Sequence, residues 1–409
     1  MPHAIDSGAT ALVLVSAALV FLMTPGLAFF YGGLVRRKNV LSIMMQSFAS
    51  MGVVTIIWVF GGFSLAFGHD IGGLIGDLRY FALNGVGVTP GIVAGKVQSI
   101  PFLAYFALQE MFAVITPALI TGAFADRVNF KSYMIFLVFW STLIYIPIVH
   151  WVWGGGFLQK MGVADFAGGS VVHTSAGFAA LASVFIVGKR KLSPGEKAAP
   201  HNLTYVALGT ALLWFGWFGF NGGSSLSASG LTATAFVNTD ISASIAMVTW
   251  LLISWVLEGK PSMTGTLTGS VAGLITVTPA AGFIQPWAAA IIGAVSAFVV
   301  YAAVQFRIRV GWDDAVDVWA CHGVGGTLGL VLTGVFAIAA VNGVSGLIEA
   351  NVHQFLVQLF GAGLVTAYSF GLTWIILKVM NFFSPIRVPE PVEATGLDEG
   401  LFGERAYEL

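Results

Sequence analysis

Charged residues are scarce in this sequence. Lys, Arg, Asp and Glu make up 9% of its 409 residues, whereas an ordinary soluble domain carries about 25%. Hydrophobic residues make up 57%, and the mean hydropathy is +0.88. Such a chain has too few charged residues to form the surface of a water-soluble protein. It is therefore predicted to be an all-α polytopic membrane protein. The formal net charge of −1 does not point to nucleic acid, and no such partner is expected.

Cysteine is almost absent. The single Cys321 excludes a disulfide framework and a cysteine-rich metal site. A cleaved secretory signal is not indicated either, because the N-terminus has no basic region and no clear small-residue cleavage site. The first apolar stretch is therefore predicted to be a retained span. No metal or other cofactor is expected.

Eleven stretches are apolar and long enough to cross a bilayer, which takes roughly 20 residues. By residue number they are about 8–33, 41–68, 99–123, 132–152, 166–187, 203–223, 238–257, 263–280, 284–305, 316–340 and 353–380. The eighth is short and rich in Gly, Thr and Ser. Residues 1–383 are predicted to form the transmembrane domain, and residues 384–409 a cytoplasmic tail.

The basic residues predict the orientation. With the N-terminus outside, the outer loops hold only Arg79, Lys96 and Lys160. The other fifteen of the 18 Lys and Arg then fall on the inner side: Arg36, Arg37, Lys38, Arg127, Lys131, Lys189, Arg190, Lys191, Lys197, Lys260, Arg307, Arg309, Lys378, Arg387 and Arg405. Cytoplasmic loops carry such an excess of cations. The C-terminus is accordingly predicted to lie inside.

Short motifs recur in the two halves of the chain. Phe30-Tyr-Gly-Gly33 ends the first span, and Phe220-Asn-Gly-Gly223 ends the sixth. Asp165 precedes His173 by eight residues at the outer start of span 5, and Asp314 precedes His322 by eight at the inner start of span 10. This pattern predicts an inverted repeat of five plus five helices with one extra helix. Inverted repeats place the functional site near the midplane between the halves.

Two histidines lie deep inside predicted spans, His173 and His322. Each could be a buried imidazole bonded to a backbone carbonyl. Their matched spacing and opposed orientation favour a second interpretation, in which the rings meet and share a proton near neutral pH. A metal site fits less well because no third ligand lies close in sequence. Covalent hydrolysis also fits poorly, since no nucleophile motif is recognisable.

Asp165 and Asp314 stand where spans 5 and 10 begin. A carboxylate in this position can cap the helix by accepting backbone N–H bonds. At the outer mouth the same carboxylate would also favour a cation. We regard Asp314 as the structural symmetry mate of Asp165.

Aromatic residues cluster toward the predicted outer mouth. They are Trp151, Trp153, Phe112 and Phe220, the last of these near Ser224. Each could be an interfacial anchor or a core residue. Together they could form a site where a small cation stacks on rings, a contact of about 2 kcal/mol when desolvated.

Longer motifs along the chain resemble those of the ammonium transporter/Rhesus superfamily, on its bacterial or archaeal side. The resemblance covers nearly the whole chain. The motifs that carry it are Phe29-Phe-Tyr-Gly-Gly33, Arg36-Arg-Lys-Asn39, Trp153-Gly-Gly-Gly156, Asp165-Phe-Ala-Gly-Gly-Ser-Val-Val-His173, Gly216-Trp-Phe-Gly-Phe-Asn221 and His322-Gly-Val-Gly-Gly326.

The resemblance implies a homotrimer in the cell membrane, with one pore in each protomer and no enzymatic activity. It implies uptake of ammonium as a nitrogen source, with methylammonium as an analogue, and we expect electrogenic net movement of NH4+. A PII-type signal protein is the implied partner at the cytoplasmic face, where the tail resembles the family's regulatory segment. The other interpretation of this tail is a solvated terminus.

The resemblance also implies roles for individual residues. Phe112, Trp153 and Ser224 match the outer ammonium recruitment site, Asp165 matches the acid beside it, and Gln109 matches a vestibule position. Phe112 and Phe220 match a stacked phenyl gate, and His173 and His322 match a twin-histidine pair in the pore. Two positions depart from the family pattern. Glu110 is an additional carboxylate in span 3, and Phe402 replaces a common histidine in the tail.

Three other functions remain open from the sequence. A proton-coupled transporter for another solute would need several polar contacts at the midplane, whereas the residues here are two histidines among Phe, Gly and Val. A Rhesus-like neutral-gas channel is closer, although Trp153 and Phe220 favour cation capture. An ammonium sensor would need a separate signalling partner, because only about 30 residues follow span 11.

Overall fold

The computed structural model describes residues 4–192, 195–196 and 198–407. Lys197, one of the cations assigned to the inner side, lies outside the described residues. Within them the chain is mostly helical, as predicted. Helices α1 to α11 are Ser7–Leu34, Arg37–Phe67, Phe102–Phe124, Phe130–Met161, Gly169–Val187, Leu203–Gly223, Gly230–Glu258, Met263–Val277, Pro286–Val310, Trp319–Phe336 and Val352–Phe383.

The prediction of eleven apolar helices is confirmed, although α8 is shorter than a membrane span requires. The other ten are long and apolar enough to cross a membrane. Helix α8 has 15 residues, which span about 22 Å and fall short of a hydrocarbon core of about 30 Å. Buried turns over residues 278–283 continue the chain beyond its end.

Helix α7 begins at Gly230, eight residues before the predicted start. Ser229 and Thr232 form a capping box there, each side chain bonding to the other residue's backbone. This capping satisfies N–H groups that have no partner within the helix. The predicted span missed these residues, 230–237, whose first half is interrupted by Gly230, Thr232 and Thr234.

Two short hairpins lie between α2 and α3. Strand β1 (Asp70–Ile71) pairs antiparallel with β2 (Ile75–Gly76), and β3 (Pro90–Val93) pairs with β4 (Lys96–Pro101). The second hairpin reaches the mouth of the candidate site, as described below.

Helices α5 and α10 cross at glycines in a symmetric way. A Cβ atom on Gly177, four residues after His173, would collide with the amide nitrogen of Gly323. A Cβ atom on Gly326, four residues after His322, would lie 2.7 Å from Cβ of His173. Small residues therefore allow the two backbones to touch, and this contact brings the histidines together.

The loops at the predicted inner end are joined by ion pairs. Asp126, between α3 and α4, accepts hydrogen bonds from Arg36 Nε at 2.9 Å and from Asn39 Nδ2 at 2.6 Å. Arg190, after α5, lies 3.5 Å from the same carboxylate and also binds Asp313, before α10. Cations that the charge pattern assigned to one side thus lie together at one end of the bundle. Which side of the membrane this end faces stays a prediction.

The tail beyond α11 folds back onto this end. The amide of Leu397 donates to Asn39 Oδ1 at 2.8 Å. The carboxylate of Asp398 accepts the amides of Leu41 and Ser42 at 3.0 and 2.8 Å, near the start of α2. Phe402, the departure from the family pattern, packs edge-on against Phe130 with ring centroids 5.2 Å apart. The described tail is therefore docked on the helical domain.

Candidate functional site

Both carboxylate oxygens of Asp165 accept hydrogen bonds at the start of α5. Oδ1 accepts the amides of Gly168 and Gly169 at 2.9 and 2.7 Å. Oδ2 accepts the amide and hydroxyl of Ser170 and, at 3.3 Å, the amide of Val171. Because the carboxylate is buried, these donors replace water around its charge. The capping role predicted for Asp165 is present in the structure.

Asp165 also fixes the position of Trp153. The indole Nε1 of Trp153 donates to the backbone carbonyl of Asp165 at 2.9 Å. This bond ties the end of α4 that is predicted to lie outside to the start of α5. The carboxylate itself does not line the depression described next.

A depression opens at the predicted outer end, and Phe112, Trp153 and Ser224 lie together in its wall. The centroids of Phe112 and Trp153 are 5.9 Å apart. The hydroxyl of Ser224 donates to the carbonyl of Phe220 at 2.8 Å, which leaves its oxygen lone pairs available as acceptors. Ring faces and a hydroxyl oxygen are groups that can hold a small cation.

Several lining residues of this depression were not predicted from the sequence. Lys96 and Gln98 come from strand β4, and Tyr105 and Phe166 come from α3 and the loop before α5. No sequence signal placed the β3–β4 hairpin over the mouth, because hairpin position depends on tertiary packing. Gln109, expected in the vestibule, does line it.

Phe112 and Phe220 separate this depression from a second cavity. Phe112 lines the outer depression, and Phe220 lines the cavity beneath it. Their centroids are 4.5 Å apart and their planes are at 88°, so the rings meet edge to face instead of stacking in parallel. Each side chain is 1% exposed. The contact is closed in this conformation.

The inner cavity is narrow and nearly apolar. The cavity volume is about 20 Å³, which leaves room for about one small molecule. Its lining comprises Met23, Leu27, Phe30, Tyr31, Ile115, Leu119, Val172, His173, Leu213, Trp217, Phe220, Val271 and His322. Phe220 of α6 was predicted as a gate residue. Met23, Leu27, Phe30 and Tyr31 of α1 and Leu213 and Trp217 of α6 were not predicted to line the cavity, since residues of these types read as ordinary core residues.

His173 and His322 meet in the wall of this cavity. Their Nδ1 atoms are 3.2 Å apart, and both rings are buried. A hydrogen bond between two Nδ1 atoms needs one donor and one acceptor, so two neutral rings must be opposite tautomers. One Nε2 then carries a hydrogen and the other a lone pair. Among the described residues, Nε2 of His173 has no hydrogen-bond partner.

Local structure and packing hold the two rings in place. Each histidine lies in a π-helical turn, Gly169–Thr174 in α5 and Trp319–Val324 in α10, and such turns are frequent at functional sites. The ring of His173 stacks on Trp217 at 25° and on Phe220 at 17°.

In the part of the chain that the structure describes, no group of three or more His, Cys, Asp or Glu could hold a metal ion.

Asp314 is buried at the start of α10, as Asp165 is at the start of α5. Its Oδ2 accepts the amide of Trp319 at 2.7 Å. Its Oδ1 has no hydrogen-bond partner within the described ranges. The predicted cap is therefore present in a much weaker form.

Glu110 belongs to neither cavity. It is half-buried on α3 and interacts with the side chain of Thr55 on α2. The lining residues of the outer depression and the inner cavity do not include it.

The fold and this site define a polytopic membrane protein in which a closed aromatic contact separates an open depression from a histidine-lined apolar cavity. Residues 11–407 match the model of the Ammonium Transporter Family. The chain therefore belongs to the ammonium transporter family, a family of membrane transporters.

Individual relatives agree with this assignment. The chain is 44% identical over 404 residues to the "Ammonium transporter" of Bacillus subtilis (strain 168), an alignment that covers 98% of each chain. The crystal structure of Candida albicans Mep2 matches with a TM-score of 0.88 at 36% identity, covering 95% of this chain and 87% of that one. A structure titled "Sensor Amt Protein" matches with a TM-score of 0.89 at 29% identity, covering 96% and 98%.

Proposed function

We propose that this protein takes up ammonium across the cell membrane by capturing NH4+ at the outer depression and passing neutral ammonia through the inner cavity. The observation that carries the proposal is the order of three features: the aromatic depression, the closed contact of Phe112 with Phe220, and the cavity lined by His173 and His322.

Capture requires groups that compensate for lost water around the cation. The faces of Phe112 and Trp153 and the hydroxyl oxygen of Ser224 supply them, and a desolvated cation–π contact contributes about 2 kcal/mol. Asp165 acts through position, since its carboxylate holds α5 and its carbonyl orients Trp153. This assigns Asp165 a supporting role in recruitment, without direct contact to the ion.

Deprotonation follows from the character of the inner cavity. A bare cation in this nearly apolar cavity has too few hydrogen-bond partners to replace its lost water, and burying a poorly compensated charge costs many kcal/mol. Ammonia is neutral and small enough for a cavity of this size. Phe112 and Phe220 must part to admit it. Potassium cannot lose its charge, so it is excluded by chemistry as well as by size.

The histidine pair is the proposed carrier of the released proton. Its two Nε2 atoms offer one donor and one acceptor, and tautomer exchange through the Nδ1 contact reverses these roles. Transfer of the proton alongside ammonia moves one net charge per molecule. Transport is then electrogenic, and methylammonium, which has the same ionisable N–H, follows the same route.

The proposal includes the family's assembly and regulation. The protein forms a homotrimer in the lipid bilayer with one path per protomer. A PII-type signal protein binds the inner end, where residues 384–409 form a regulatory segment distinct from the transmembrane domain of residues 1–383. The docked contacts of Leu397 and Asp398 with the start of α2 support this division.

An ammonium sensor is the second candidate, favoured by the likeness to the structure titled "Sensor Amt Protein". Complementation of ammonium-limited growth, together with uptake of labelled methylammonium by proteoliposomes, separates the two functions. Transport predicts rescue and saturable uptake. A sensor would give neither, and a neutral-gas channel would give uptake without ammonium-evoked current.

A further inference from the structure

The short helix α8 ends inside the protein, next to the helices that hold the histidines. Its last residue is Val277, and Thr276, Val277 and Thr278 are each 0% exposed. None of the three lines the outer depression or the inner cavity. A buried helix end needs partners for its polar groups, and two contacts described next supply them.

Pro279 fixes this end between α5 and α10. A Cβ atom on Gly169, the first residue of α5, would lie 2.5 Å from the Pro279 ring. A Cβ atom on Gly329, in α10, would lie 2.8 Å from Cγ of the same ring. The carbonyl of Pro279 accepts the amide of Phe166, just before α5, at 3.1 Å. Such close packing leaves Thr278, the residue before Pro279, little freedom to move.

The hydroxyl of Thr278 makes two hydrogen bonds. It donates to the carbonyl of Leu274 at 2.8 Å and accepts the indole Nε1–H of Trp217, on α6, at 2.9 Å. The first bond uses the hydroxyl hydrogen and the second uses a lone pair. Trp217 is 2% exposed, and its N–H is the one polar group of the ring. Thr278 therefore fixes the direction of this group.

The Trp217 ring transmits this position to His173. The centroids of Trp217 and His173 are 5.4 Å apart, with the planes at 25°. Phe220 packs against both rings, with its centroid 5.5 Å from Trp217 and 5.8 Å from His173. On its other side His173 meets His322 through the Nδ1 contact of 3.2 Å. A rotation of Trp217 would therefore remove one of the surfaces that hold His173 opposite His322.

The same bond also occupies a donor beside the pair. Nε2 of His173 has no hydrogen-bond partner among the described residues. Because the indole N–H of Trp217 already donates to Thr278, it does not compete for a lone pair on Nε2 or on ammonia in the cavity.

We propose that Thr278 is a positioning residue for the histidine pair: its hydroxyl holds the indole of Trp217 against His173, and this keeps His173 in contact with His322. Thr278 touches neither ammonium nor ammonia. The inference rests on the proposed function of the pair in transport, but its first readout does not require transport.

Solid-state NMR of the full-length protein in bilayers, with 15N-labelled histidine, measures the pair directly. An N–H···N bond between the two Nδ1 atoms gives a scalar coupling between these nitrogens, which we expect in the native protein. Thr278→Val keeps the shape of the side chain but leaves the buried indole N–H without an acceptor, so the coupling should be lost. Thr278→Ser keeps the hydroxyl and should retain the coupling.

Uptake of labelled methylammonium by proteoliposomes is the second readout. Thr278→Val should lower the maximal rate about tenfold, the effect of one buried hydrogen bond left unmade. The apparent KM should not change, because neither Thr278 nor Trp217 lines the outer depression. Thr278→Ser should restore the native rate. Thr333→Val is the matched control, since this buried hydroxyl donates to the carbonyl of Gly329 in its own helix, and it should behave as native.

A Trp217→Phe background separates positioning from packing. There the ring has no N–H to hold, so Thr278→Val should cause little further loss of rate if Thr278 acts through the indole. This comparison also decides the matter if Thr278→Val alone fails to fold, which melting temperatures would show.

Three results would overturn the proposal: a native coupling and rate in Thr278→Val, equal losses in Thr278→Val and Thr278→Ser, or a full further loss from Thr278→Val in the Trp217→Phe background. A native protein that shows the coupling but no uptake would instead contradict the proposed function. The positioning of the pair by Thr278 would then still be supported by loss of the coupling in Thr278→Val and its retention in Thr278→Ser.

Discussion

The carboxylates that open α5 and α10 stand at the same distance from a histidine in sequence, yet their surroundings differ. Asp165 accepts hydrogen bonds from four amides and a hydroxyl, and its carbonyl holds Trp153. Oδ2 of Asp314 accepts the amide of Trp319, whereas its Oδ1 has no hydrogen-bond partner among the described residues. The histidines at the ends of these spacings nevertheless form one pair. The symmetry is therefore kept at the histidine pair and lost at the two helix starts, as expected if ammonium is captured at one end only, as proposed above.

The largest expected effect is the difference between substituting Asp165 and substituting Asp314. In Asp165→Asn an amide NH2 replaces one oxygen and faces backbone N–H donors, so at least two charge-assisted bonds are lost. We expect a destabilisation of about 3 kcal/mol and nearly complete loss of methylammonium uptake, against about 1 kcal/mol for Asp314→Asn. Thermal unfolding and uptake assays on both variants measure this difference. Equal effects at the two positions would contradict the asymmetry.

The glycine crossing tests the part of the symmetry that is kept. Gly177→Ala places a Cβ against the Gly323 backbone, which cannot move aside, and is expected to separate the helices and the two Nδ1 atoms. Gly326→Ala places its Cβ 2.7 Å from Cβ of His173 and is expected to do the same more mildly. Transport should fall more than tenfold in the first variant and less in the second. Gly363→Ala, whose Cβ would meet no atom within 4 Å, is the control that should behave as native.

A smaller effect concerns Asp313, just before the start of α10. Because the pKa of Asp313 in the folded protein, about 2, lies below the unfolded value of about 3.9, its carboxylate stabilises the fold above about pH 4. This contribution is lost as the pH falls from about 4 to 2. Asp313→Asn should flatten the dependence of the melting temperature on pH in that interval. Identical curves for Asp313→Asn and the native protein would refute the assignment.

The smallest effect concerns the outer mouth. Lys96 is exposed and lines the depression, where its charge repels an approaching cation. Lys96→Gln should lower the apparent KM for ammonium about twofold at low salt, and the difference should vanish at high salt because screening removes it. A KM that does not change at low salt would show that this lysine lies outside the capture field.

The sequence predicted the elements that depend on composition and spacing. Long apolar stretches indicated the helices, and the two Asp-to-His spacings indicated that His173 and His322 belong together. Residues placed by tertiary contacts could not be predicted. Lys96 reaches the mouth on a hairpin, Trp217 stacks on His173 from another helix, and the edge-to-face geometry of Phe112 and Phe220 depends on side-chain torsions. The number of bonds at each carboxylate also depends on the local backbone path, which the spacing does not specify.

The proposed mechanism requires the paired histidines to carry the proton separated from ammonium. Currents evoked by ammonium jumps on a supported membrane, recorded for native protein and for the His173→Ala/His322→Ala double variant, test this claim. We expect the native current to be large and insensitive to potassium. The double variant should lose the ammonium current or lose its rejection of potassium. An unchanged ammonium current together with unchanged rejection of potassium would contradict the claim.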